Sequence, residues 1–212
     1  MSISGIKPAH AGRNPQVGRY VLGAVLLVAL ALVLSAADTQ EALAQVGFQA
    51  NTNYVSNGSF EKDSNGDGLP NNWLAGPLGA KDKRVCNQSV AGSCSFKMVG
   101  DTDGGIDNYI YQVIPLTNPN VGDEFKLKVW TKGKALDLSG GWARVIVQFF
   151  DGGFLGNSES FDIPSGTSAW TLHQVSVTAA ADYDEIWIFV RLDADSGKAW
   201  FDKVSLVYVG AP

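Results

Sequence analysis

Histidine is almost missing from this sequence and cysteine is sparse: His10, His173, Cys86 and Cys94 are the whole supply. His173 sits inside an alternating strand pattern, where a lone imidazole is ordinarily structural. No Gly-x-Ser-x-Gly elbow and no His-Glu-x-x-His helix occurs, and the glycine fingerprints that cradle phosphates are missing. Carboxylates are plentiful, yet no Glu-x-Asp-x-x-Glu cluster marks a glycosidase strand. These absences point away from an enzyme. A basic surplus is missing too: 16 Lys and Arg face 21 Asp and Glu, for a net charge of −5. That balance argues against a nucleic-acid partner. Long helical periodicity is absent while glycine numbers 24. The chain therefore reads as all-β with many turns.

A long apolar run occurs near the start, over residues 20–37, behind a polar head carrying Lys7, Arg13 and Arg19. With the small-residue exit Ala42-Leu43-Ala44, it describes a secretory signal peptide, or an uncleaved anchor helix. In either case the positive flank stays inside and everything after about residue 45 is exported. The expected division is a leader or membrane anchor over 1–44 and one exported domain over 45–212, secreted or held at the cell surface. Membrane contact follows only if the leader is retained.

In an oxidising compartment Cys86 and Cys94 most simply pair in a disulfide; a two-thiolate metal site would lack histidine partners. Strand patterns follow at 95–99, 109–114, 124–131, 143–150, 170–177, 185–192 and 198–209. Clusters such as Asn118-Pro119-Asn120, Asp151-Gly152-Gly153 and Pro164-Ser165-Gly166 separate them. So many short strands with such punctuation predict an antiparallel β-sandwich or jelly roll.

The stretch from Asn57 to Trp73 is the most informative. Asn57-Gly58 is a turn signal leading into Phe60 and Glu61. Asp63, Asn65 and Asp67 then place oxygens at alternate positions before Gly68. That spacing suits calcium, although no bidentate glutamate closes the set; the alternative is a solvated Asx-rich turn. Asn57-Gly58-Ser59-Phe60-Glu61 with Asp67-Gly68-Leu69-Pro70 and Trp73 resembles the opening of carbohydrate-binding modules of the family 4, 9, 16 and 22 type. Three later stretches agree in order: 125–130, Thr167-Ser168-Ala169-Trp170, and Ala199-Trp200-Phe201-Asp202-Lys203-Val204-Ser205-Leu206. The resemblance spans about residues 52–208. It implies a galactose-binding-like jelly roll and a structural calcium joining the first and last strands. By carry-over its ligands are Glu61 and Asp202, with oxygens near Ser59 and Ser93.

Period-two reading finds a candidate sugar face. Lys126, Lys128 and Trp130 share one side of their strand, opposite Phe125, Leu127 and Val129. In the late strand Ile186, Ile188, Val190 and Leu192 form the core side, leaving Glu185, Trp187, Phe189 and Arg191 outward. If those strands are neighbours, Trp130 and Trp187 share one surface, with Phe189, Arg191, Lys128 and Gln148 beside them. Flat aromatic rings suit the C–H faces of sugars. Alternatively the segment 46–54 covers these tryptophans. Trp200 shares parity with Val204 and Leu206 and is expected in the core. The expected function is calcium-stabilised polysaccharide binding without catalysis. A structural or adhesion subunit with a protein partner at the cell surface is the alternative.

Overall fold

Alternation dictates the strands. In the strand Glu185–Asp193, Ile186, Ile188, Val190 and Leu192 are buried while the residues between them are half-exposed. The same rhythm runs through Asn108–Pro115, Glu124–Asp137 and Trp142–Phe150. The computed structural model describes residues 48–101 and 107–211. Residues 47–212 form one compact unit. The expected leader or anchor over 1–44 lies outside the described residues. Among those described, no helix is long and apolar enough to cross a membrane.

Among the described residues there are ten strands: β1 (Leu74–Ala75), β2 (Lys83–Val85), β3 (Ser95–Val99), β4 (Asn108–Pro115), β5 (Glu124–Asp137), β6 (Trp142–Phe150), β7 (Phe154–Asp162), β8 (Gly166–Thr178), β9 (Glu185–Asp193) and β10 (Ser196–Gly210). They form two five-stranded sheets, β1-β4-β9-β6-β7 in front and β2-β3-β10-β5-β8 behind. All pairings are antiparallel. This is a β-sandwich of jelly-roll type. Three strands escape the sequence pattern. β1 and β2 are very short, and β7 reads Phe-Leu-Gly-Asn-Ser-Glu-Ser-Phe-Asp, an exposed edge strand with no buried face to betray it.

The core lies between the sheets. Phe96, Met98, Phe125, Leu127, Val129, Phe201 and Leu206 from the back meet Ile110, Val145, Val147, Phe149, Ile186, Ile188 and Val190 from the front. Each such side chain contributes on the order of 1.5–3 kcal/mol by leaving water.

One irregularity matters for function. The β10–β5 register shifts between Asp202 and Ser205, and Lys203 at the bulge has φ 53°. An extra residue in one strand reverses the side its later residues face. Ala199 and Phe201 point inward before the bulge, and Val204 and Leu206 point inward after it. Trp200 and Asp202 therefore face outward, so Trp200 stands apart from the central core that its parity with Val204 predicted. It is still covered, 7 % exposed, with the Lys132 ammonium 5.7 Å from its ring centre.

Beyond the bulge the N-terminal segment takes over the edge of β10. Asn53 bridges to Val207, and Tyr54 donates to the Leu206 carbonyl at 2.9 Å. Phe48 packs on Tyr54, Phe125 and Tyr208. Residues 48–54 of the segment thus lie along the back sheet, and among the described residues they make no ring contact with Trp187 of the front sheet.

Candidate functional site

The outward side of the front sheet is where the chain concentrates aromatic surface. Register places Phe189 on β9 between Tyr111 of β4 and Ile146 of β6, Trp187 between Val113 and Gln148, and Arg191 between Tyr109 and Arg144. The rings adjoin. Tyr111 stacks on Trp187 at 5.4 Å and on Phe189 at 5.6 Å, and Phe150 stacks on Trp187 at 4.5 Å. Tyr109 and Phe154 extend the row at its two ends. The Trp187 indole donates to Glu185 Oε2 at 2.7 Å, which fixes the ring.

A cationic end closes the row. The Arg191 guanidinium lies 4.8 Å from the Trp142 ring and 5.3 Å from Tyr109. It is held by an ion pair to Asp107. Burial lowers its pKa from the ordinary value, but an arginine so paired keeps its charge. Arg144 stacks on the other contact of Trp142, at 4.6 Å, and pairs with Asp162 at 3.1 Å. Each guanidinium thus lies within cation–π distance of the Trp142 ring and is held by a carboxylate. Gln148 and the exposed Ser158 and Ser160 of the edge strand add neutral hydrogen-bonders on the same side.

This arrangement corrects one expectation. Trp130 and Lys128 do not join Trp187, Phe189, Arg191 and Gln148, because β5 belongs to the back sheet and β9 to the front. The strand pattern alone gives each strand's two sides but not which strands adjoin. Trp130 and Lys128 instead line a back-sheet cleft of about 510 Å³, with Ser59, Leu172, Lys203 and Ser205. Sequence reasoning also missed Tyr111, Phe150 and Arg144 as parts of the front face. Their period-two positions were the available signal, and only sheet order joins them.

The expected cation ligands fall into two places. Asp63 accepts the backbone N–H groups of Gly66 and Gly68, and Asp67 accepts Leu69 N–H and the Asn65 amide. Those hydrogen bonds are of the Asx-turn kind. Glu61 and Asp202 both reach the disulfide loop closed by Cys86 and Cys94. Glu61 Oε1 accepts from Ser93 and Cys94 N–H at 2.9 Å each. Asp202 accepts from Val90 at 2.7 Å, Ala91 at 3.2 Å and Lys203 at 2.7 Å. Burial raises the Asp202 carboxyl above its ordinary pKa, and repulsion from Glu61 adds to it. Among the described residues neither acid has an ion pair, and no group of three or more His, Cys, Asp or Glu side chains stands together for a metal. Two neighbouring acids lacking a counter-charge fit a hard cation in donor chemistry, with carbonyls or water completing the shell.

No protein-family model matches the chain, and no curated protein matches it. Solved structures do. The carbohydrate-binding module TmCBM61, in complex with β-1,4-galactotriose, has a TM-score of 0.54 at 17 % identity over 74 % of this chain and 99 % of that one. The CBM22-1 xylan-binding domain from Paenibacillus barcinonensis Xyn10C gives 0.52 at 17 % over 78 % and 100 %. The enzymatically active domain of bacteriophage CBA120 tailspike protein 4 gives 0.58 at 18 %, over 74 % of this chain but only 21 % of its own length. A Stig cyclase from Fischerella sp. TAU gives 0.57 at 15 % over 77 % and 100 %. At these identities the likeness is one of fold. The fold is that of jelly-roll carbohydrate-binding modules, and the cyclase demonstrates that the same scaffold serves other chemistry.

Proposed function

We propose that this protein binds a polysaccharide, without cleaving it, on the outward face of its front sheet. The observation that carries the reading is the contiguous row Tyr109–Tyr111–Phe189–Trp187–Phe150, flanked by two ring-stacked arginines and by Gln148. Apolar rings meet the C–H faces of pyranoses, and planar guanidinium and amide groups meet hydroxyls at fixed angles. The row crosses three adjacent strands on the outward side of the sheet, which suits a long chain lying across it better than a small enclosed ligand. The carboxyls raised by burial, Asp82 and Asp202, belong to other parts of the molecule, which supports binding without acid catalysis.

The deciding experiment is retention on insoluble and gel-embedded neutral polysaccharides, β-1,4-galactan and xylan among them. Trp187→Ala should abolish retention while far-UV circular dichroism and melting stay near wild type. Retention unchanged by that substitution would sink the front-face reading. Silence across the panel would move the weight to a protein partner on the same aromatic face.

A structural calcium between Glu61 and Asp202, near Ser59, is part of the same proposal. It is supported by the missing counter-charge at two acids that tie the chain's early and late segments together. Export with a cleaved or retained leader completes it, and places the module at or beyond the cell surface.

A further inference from the structure

Charge is divided between the two faces of this acidic protein. In front, both arginines are ion-paired. On the outward side of the back sheet, β5 presents Lys126, Lys128, Lys132 and Lys134 in alternation with its buried residues. Lys97 of β3 lies opposite Lys83 of β2 and Trp200 of β10, and Trp200 lies opposite Lys132. Lys198 of β10 lies opposite Lys134. Among the described residues none of these lysines has an ion pair. Crowding is felt: the Lys97 ammonium is pulled below its ordinary pKa, by burial first and then by Lys83 and Lys198. Lys132 also donates to Gln88 Oε1 at 2.6 Å and Asp82 partly offsets the charge at Lys97, but a sheet that gathers like charges with no ion pair among them leaves them for an outside anion.

The cleft of about 510 Å³ opens on this cationic side. Its floor is the half-exposed Trp130, next to Leu172, which is 44 % exposed. Lys128 stands two residues along the strand from Trp130, and Lys203 projects from the bulge that faces both. The bulge creates the recess, because it breaks the regular β10–β5 pairing between Trp130 and Lys128. Asp202, the register partner of Trp130 on β10, is fully buried and turned into the disulfide loop. Glu124 lies at the far end of β5, next to Thr178. The volume suits one or two pyranose rings. An indole floor with two unpaired ammonium groups at its rim matches a sugar ring that carries a carboxylate.

We propose that the Trp130 cleft is a second carbohydrate site, selective for hexuronate units of an acidic polysaccharide. Trp130 is the stacking platform and Lys128 and Lys203 hold the carboxylate. The lysines along β5 and at Lys97 and Lys198 attract the polymer's remaining charge. This site is separate from the front face and stands whether or not that face binds neutral glycan.

The test uses the full chain, kept in solution with a non-ionic detergent lacking sugar headgroups, titrated with galacturonate oligomers and with the same oligomers after carboxyl reduction. The acidic oligomer binds, and added salt weakens it steeply. Trp130→Ala, and separately the double variant Lys128→Gln with Lys203→Gln, each weaken binding by about tenfold or more. The double variant touches only surface side chains, so it reports even if Trp130→Ala fails to fold. Trp187→Ala leaves galacturonate binding unchanged, which keeps this outcome distinct from failure of the front-face reading. The proposal is overturned by no binding, by equal affinity for the carboxyl-reduced oligomer, or by binding that neither variant alters. Duplex DNA bound as tightly through the same residues would overturn it too, since the face would then be a general polyanion surface.

Discussion

A methyl group on Gly58 would stand 1.9 Å from the Val204 carbonyl oxygen and 3.1 Å from Val55 Cγ1. At that point the opening turn presses directly on the last strand, and Val204 N–H donates to the Gly58 carbonyl at 2.9 Å. Around it the rest of the motif is equally constrained. Asn57 sits at φ 50° and Phe60 at φ 57°. The Asn57 amide donates to the Lys62 and Asn71 carbonyls, and Arg84 caps the Phe60 and Glu61 carbonyls at 2.6 Å each. Phe60 is fully buried against Trp73 and Phe96. Gly58→Ala must push the turn off Val204, and should cost about 3 kcal/mol through overpacking and the lost hydrogen bond. Urea denaturation measures it; a change below about 1 kcal/mol would mean the clasp yields easily. This motif was legible in the sequence as a turn and a buried aromatic. Its contact with Val204 was not, because nothing local tells a glycine which distant carbonyl it will meet.

Among the elements, β8 and β7 close one side of the sandwich from opposite sheets. His173 of β8 shares its side with Val175 and Val177, and stacks on Phe161 of β7 at 5.1 Å and 10°. The alternation places this histidine on the inward side of its strand, opposite Val129. Burial lowers its pKa from 6.5, so the unfolded chain binds the proton more readily than the folded one. Its contribution to stability is therefore complete above 6.5 and is lost as pH falls from there through the folded value. His173→Phe should keep the ring contact and remove that dependence. Melting temperatures of the two proteins should separate on acidification, with the wild type falling faster below about pH 6.5; parallel curves would assign the acid sensitivity to other groups. The edge strand β7 itself was invisible beforehand, since an exposed polar strand carries no buried face for a period-two reading to find.

At the scale of the whole molecule, the early segment, the disulfide loop and the last strand meet around Glu61 and Asp202. The loop's N–H groups already bond one oxygen of each carboxylate, so a cation there adds to an existing tie and is not needed to form it. Chelation should lower the melting temperature by several degrees, the effect of about 1–2 kcal/mol on a domain of this size. Calcium should restore it, and the double variant Glu61→Gln with Asp202→Asn should lose the response. A melting curve indifferent to both chelator and calcium would remove the calcium from the proposal.

The sequence by itself determined which residues turn inward in most strands, the punctuation between strands, and the all-β class, because each of these is a local pattern of burial with period two. It also supplied the separate halves of the aromatic surface, one strand at a time. Only the tertiary structure decided which halves meet. Strand order brought Tyr111, Trp187 and Phe150 together and sent Trp130 to the opposite sheet, where a single bulge at Lys203 turned Trp200 outward and opened the cleft. The physical reason is that sheet neighbours are chosen by chain-wide packing of two apolar faces, and no stretch of sequence records that choice.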